Sequence, residues 1–303
     1  MDDRTLIDTD REAIEEGLEE GFLSRQERAR RFIKRLFRNK LVAISLAILL
    51  LFIFVAIFAP WITPEDPFRS VLTRRLQSPS AENIFGTDQQ GRDMVSRIMM
   101  GSRVALYVGF VAVGIGLSVG AVLGLVSGYF GRKLDAVIMR AMDVLLSFPW
   151  LLLVITVVTI LGPGITNAML AIAVTLIPQY ARLVRSVVVS VKELDFVQAA
   201  HALGASHLRT MLIHIAPHTV AHIIILSTVN LGKAILAEAG LGYLGLGVQP
   251  PTPSWGMMVS TGKDYLLVAP YLSIVPGIAV MLVVVSLNIF GDGLRDTLDP
   301  KMR

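Results

Sequence analysis

The side chains best suited to chemistry in this chain sit in one stretch. All five histidines fall between 201 and 222, at His201, His207, His214, His218 and His222. The last three recur every four residues, which would set imidazoles along one helical face, where they could ligate a divalent metal. Two features argue against that. Pro217 interrupts the helix that would align them, and no second shell accompanies them. The expectation is no metal site. With no cysteine in the chain, thiol catalysis, disulfides and iron–sulfur centres are excluded. Gly232-Lys233 lacks both the upstream glycine and the following Ser/Thr of a phosphate-binding loop. No nucleophile–base pair stands out, so the chain reads as a non-enzyme with no cofactor of its own.

Four charged residues fall within otherwise apolar runs. Arg140 and Asp143 are three apart and can meet on one helix face, as an ion pair that eases burial or as a gate. Lys233 and Glu238 are functional candidates because ionisable groups at membrane depth are expensive. Five residues of helix place them about 140° apart, so they do not face one another. Lys233 is expected to face a cavity or pair across subunits, and Glu238 to lie at an outer mouth.

The elements that must carry these residues are membrane helices. Of 303 residues, 53% are hydrophobic and 17% charged, against roughly 25% charged in soluble domains. Mean hydropathy is +0.63. The net charge of +4 does not indicate nucleic acid, because the basic residues cluster at the ends of apolar runs. Residues 1–40 form an acidic, then basic tail. The run 41–62 matches the ~20 residues that cross ~30 Å of hydrocarbon, and Lys/Arg beside it predict a cytoplasmic N-terminus. Segment 63–101 is polar and external. A core, 102–291, holds spans near 104–130, 137–160, 166–182, 218–238 and 270–290, with a cytoplasmic segment at 186–217. The tail 292–303 returns to the cytoplasm. The fold class is all-α: a polytopic protein of about six spans.

Gly116, Gly120, Gly124 and Gly128 repeat at four-residue spacing within the second span. Such a stripe lets another helix backbone approach closely. It signals packing and says nothing about cargo.

The cytoplasmic segment is the most informative. Gln198, Ala199, Ala200 and Gly204, continuing to Pro217, suggest a short helix, a sharp turn and a second helix, with a small-residue surface that a partner's groove can clasp. This stretch resembles the coupling loop of ABC importer permeases, whose pattern is Glu-Ala-Ala, three residues, Gly, nine residues, then Ile-x-Leu-Pro. Ala199, Ala200, Gly204 and Pro217 match in register; Gln198 stands for the Glu, His214 for the Ile and Ala216 for the Leu. Along the rest of the chain, Gly86-Thr87-Asp88-Gln-Gln-Gly91-Arg92-Asp93, Pro250-Pro251-Thr252-Pro253-Ser254-Trp255-Gly256 and Gly291-Asp292-Gly293-Leu294-Arg295-Asp296 resemble the second, C-type permease of the dipeptide/oligopeptide/nickel family. The resemblance implies the type I importer permease fold in a bacterial inner membrane. It also implies a homologous permease partner, two cytoplasmic ATPase subunits that bind the ATP and Mg, and an external solute-binding protein. That protein would dock on 63–101 and 246–268. Implied cargo is a peptide or a related small solute. The competing readings are an ion-driven secondary transporter, whose inverted repeats are not evident, and an intramembrane enzyme, which lacks its catalytic groups.

Overall fold

The computed structural model describes residues 25–298, whose regular elements are all helices, with no strand among the described residues. The acidic tail lies outside the described residues. A basic helix α1 (Arg25–Leu36) leads to α2 (Lys40–Ile62). Asn39 starts α2 by accepting the Leu41 N–H at 2.9 Å. The side chains of Leu41, Leu50, Leu51, Phe54 and Ile57 are exposed on α2, a composition that only lipid can solvate.

Next, α3 (Met94–Phe130) has 37 residues. That is about 55 Å of helix, longer than ~30 Å of hydrocarbon, so it begins within the stretch expected to be external. Asp93 caps it, accepting the Ser96 N–H at 2.7 Å. The helices α4 (Arg132–Leu146) and α5 (Trp150–Leu161) follow. The single span expected at 137–160 is therefore two helices, bent by 90°. Pro149 explains the break, since it has no N–H to continue the ladder and it disfavours helical geometry at Phe148. Only α5 is apolar all round; α4 carries Asp135, Arg140 and Asp143.

The chain continues through α6 (Ile165–Val191), α7 (Asp195–Ala202), α8 (Val220–Tyr243), α9 (Trp255–Gly262) and α10 (Tyr271–Leu298). Helix α6 runs well into the segment expected to be a cytoplasmic connector, and α10 into the expected C-terminal tail. By length and composition five helices can cross a membrane, or six if the bent pair makes one crossing.

Two helices form the spine. An added Cβ at Gly116 would sit 2.8 Å from Leu176 Cβ, at Gly120 2.6 Å from the Ile177 carbonyl oxygen, at Gly124 2.5 Å from that of Ala181, and at Gly128 2.8 Å from Val188 Cβ. The four glycines of the stripe thus touch α6 over about three turns of α3, at distances that leave no room for a side chain. Around this seam Val108, Ala112, Ile172, Tyr180 and Leu241 fill one core. A second core is built on Trp255, with Met94, Ile235, Leu272 and Val283.

Segment 63–93 folds back over the N-terminal ends of α3 and α10. Asp88 accepts the Arg92 guanidinium at 2.6 Å and lies 3.4 Å from that of Arg97. Arg74 pairs with Glu65 at 2.9 Å and donates to Asn83 at 2.7 Å. Tyr271 ties the segment to α10 by donating to the carbonyls of Gln77 and Thr87 at 2.9 and 3.1 Å. The Gly86–Asp93 motif is therefore a folded latch at the mouth of α3. The spacing of the motif in sequence does not reveal this role.

Candidate functional site: an exposed elbow between two helices

The 186–217 stretch resolves into the end of α6, then α7, a turn, and a helical run from His207. Helix α7 ends in a Schellman arrangement: the Gly204 N–H bonds the His201 carbonyl at 2.9 Å and the Ala205 N–H bonds the Ala200 carbonyl at 3.0 Å. Such an ending needs a left-handed residue, and Gly204 supplies it with φ +84°. An added Cβ there would meet nothing within 4 Å, so the glycine is required by backbone conformation and not by crowding. Ser206 then opens the next helix, its carbonyl taking the Thr210 N–H at 2.9 Å. The run proceeds through a π turn (Thr210–Ile215) and a 3₁₀ turn (Ala216–Thr219) containing Pro217 before α8 begins.

The elbow has a buried root and an exposed tip. Val197 and Ile215 are buried against Val184, Val188 and Val191 of α6. At the tip, Leu203 is 89% exposed, and Leu194, Phe196 and Leu208 are exposed as well. Gln198 and Ala199 are exposed and Ala200 half-buried; the Gln198 amide donates to the Glu193 carbonyl at 3.1 Å. An apolar tip on a short, internally hydrogen-bonded lever is a surface made to be covered.

Polar contacts fix the root to the bundle. The Tyr129 hydroxyl, at the end of α3, lies 2.7 Å from His201 Nε2 and 2.8 Å from His207 Nδ1, one on each side of the Gly204 turn. Lys192 Nζ donates to the Gly128 carbonyl at 3.2 Å. Arg185 of α6 grips Asp135 of α4 at 2.5 and 2.6 Å, and Ser127 of α3 donates to the same carboxylate. These partners are distant in sequence and no spacing argument joins them.

Asp143 does not meet Arg140; its partner is Arg182 of α6, 2.5 Å away. The i, i+3 spacing permits the pair within one helix, but α6 brings a competing guanidinium alongside. Glu238 does not lie at an open mouth. It is 1% exposed, beneath α9, where Gly256 sits against the Ala239 carbonyl, and neither of its oxygens makes an ordinary hydrogen bond. Lys233 is exposed and borders a small cavity with Trp150, Thr175 and Gln179. His214, His218 and His222 do not share a regular face, because the π and 3₁₀ turns lie between them; the His218 ring packs on Phe196 with centroids 5.5 Å apart. Among the described residues no three of His, Asp or Glu are arranged to hold a metal ion.

A bundle with five or six helices able to cross a membrane, carrying an apolar-tipped elbow, defines a multi-pass membrane protein with an exposed apolar surface. The family described as the binding-protein-dependent transport system inner membrane component matches residues 120–303, and the N-terminal TM domain of oligopeptide transport permease C matches residues 28–79. The dipeptide transport system permease protein of Alkalihalophilus pseudofirmus is 47% identical over 274 residues, 90% of each chain. The di/tripeptide transport system permease protein of Pseudomonas aeruginosa is 42% identical over 271 residues, 88% of this chain and 89% of that one. A glutathione transport system permease protein of Escherichia coli is 42% identical over 89% of both. In fold, the chain is similar to one of the MetNI methionine ABC transporter in inward-facing form, with TM-score 0.54 and 19% identity over 67% of this chain and 97% of that one. The chain belongs to the binding-protein-dependent inner membrane component family and is a permease subunit of an ABC importer.

Proposed function

We propose that this chain is the C-type half of a permease pair that imports peptides across a bacterial inner membrane, both termini facing the cytoplasm. The 47% and 42% identical relatives named for dipeptide and di/tripeptide transport support that cargo. Two separate ATPase subunits bind ATP and Mg and drive the cycle, and an external binding protein delivers the peptide to the outer latch at 63–93 and the 246–268 segment. The elbow around Gly204 is the contact with one ATPase. The observation that carries this reading is the elbow itself, buried at Val197 and Ile215 and exposing Leu203, Phe196 and Leu208 at its tip. Closure of the ATPases would push a lever that Tyr129 ties to α3 and that Val197 and Ile215 pack onto α6, so the spans move between two global states.

A cysteine at Leu203 should crosslink to an ATPase subunit in the assembled complex and lose that crosslink when the ATPases are absent. Vesicles containing the complete complex should take up labelled dipeptide only with ATP. Uptake driven by an ion gradient without ATP would establish the secondary-transporter reading instead.

A further inference from the structure

One feature of the interior is not used by the elbow or the latch. Lys233 lies ten residues before the outer end of α8 at Tyr243, about 15 Å in by helical rise, close to the middle of the hydrocarbon. Its side chain is exposed and is in no ion pair among the described residues. An ammonium at that depth has to face water or an anion. Glu238 does not serve, being buried under α9 and pointing about 140° away around the helix.

What Lys233 does face is a cavity of about 110 Å³. The bend at Pro149 places Trp150 there instead of carrying the third span past it. Gln179 and Thr175 of α6 supply the other polar groups, and Ile172 and Leu176 the apolar wall. The Thr175 hydroxyl already donates to the Ile172 carbonyl at 2.7 Å. The side-chain donors left for a ligand are the Lys233 ammonium, the Gln179 amide and the Trp150 indole, all suited to an anion.

The volume is too small for a whole peptide but holds a carboxylate. Every linear peptide presents one carboxylate at its C-terminus regardless of sequence. We propose that Lys233, with Gln179 and Trp150, forms a mid-membrane subsite for the C-terminal carboxylate of the passing peptide. The subsite holds cargo by its common end and leaves side chains unread. This rests on the peptide-importer reading above.

The test uses the complete transporter in vesicles with an unaltered binding protein, at cargo concentrations that saturate it. Uptake of dialanine and of dialanine amide is measured for the native chain, Lys233→Met and Lys233→Arg. The native complex should carry the acid at least tenfold faster than the amide. Lys233→Met should bring the acid down to the amide's rate, and Lys233→Arg should restore most of its advantage. If Lys233→Met keeps the full preference for the acid, or slows both cargoes by one factor, the subsite does not exist. If it abolishes assembly of the permease pair, the ammonium answers an acid on the other subunit and the proposal is overturned. Uptake of neither cargo by the native complex would instead remove the peptide-importer reading itself.

Discussion

Asp135 of α4 and Arg185 of α6 form a two-pronged ion pair, with nitrogen–oxygen distances of 2.5 and 2.6 Å. The Ser127 hydroxyl of α3 donates to the same carboxylate. Three helices thus meet on one side chain close to the root of the elbow. The pair is partly exposed, at 36% for Arg185 and 21% for Asp135, so water screens it and its energetic weight is modest. Its geometric weight is larger, because α4 has few other polar ties to the bundle. Asp135→Asn should cost about 1–2 kcal/mol and loosen α4. Thermal melting of the detergent-solubilised subunit measures this. The charge swap Asp135→Arg with Arg185→Asp should recover part of the loss, and a swap no better than its single components would show the pairing to be incidental.

The glycine stripe gives a sharper test because the chain contains its own control. A methyl group at Gly124 would lie 2.5 Å from the Ala181 carbonyl oxygen, whereas one at Gly114 would touch nothing. Gly124→Ala should therefore force α3 and α6 apart and destabilise by about 1–3 kcal/mol. Gly114→Ala, on the same helix, should be neutral or slightly favourable through helix propensity. Comparing melting temperatures and yield of the two variants separates close packing from a general cost of removing membrane glycines.

How much of this was readable from residues alone follows from range. Apolar runs of 20 residues, the four-residue glycine repeat and the turn at Gly204 are local patterns, and local physics fixes them. Pairings between helices are different. Asp143 had an intrahelical candidate in Arg140, and nothing in one dimension indicates that Arg182, 39 positions away, approaches more closely. The Tyr129 contacts with His201 and His207 span 72 and 78 residues and carry no periodic signal. The 90° bend at Pro149 was visible as a proline, yet hydropathy ran through it without interruption, and so a single span was the expectation. Glu238 shows the same limit, since its burial depends on α9 folding back across α8.

Tyr129 should govern the rigidity of the elbow. Tyr129→Phe keeps the ring and removes the hydroxyl that touches both His201 and His207. Each lost hydrogen bond is worth about 0.5–1.5 kcal/mol. The expected outcome is faster amide hydrogen exchange across 195–209 with little change in the spans. Unchanged exchange there would mean that Val197 and Ile215 alone anchor the lever.

The elbow's two properties, backbone shape and exposed tip, can be separated by substitution. Gly204→Ala adds a side chain into open space, so its effect comes only from holding φ at +84°, about 1–2 kcal/mol; Gly204→Asn, which tolerates that conformation better, should lose less. Leu203→Ser changes nothing buried, since Leu203 is 89% exposed, and the isolated subunit should melt as before. Association with the ATPase subunits should nevertheless weaken, by roughly tenfold for a Leu-sized apolar contact, and transport should fall with it. The measurement is ATPase retained on an affinity-purified permease complex, compared with the melting temperature of the permease alone. Loss of melting temperature without loss of ATPase binding would make Leu203 part of the fold and not of the contact.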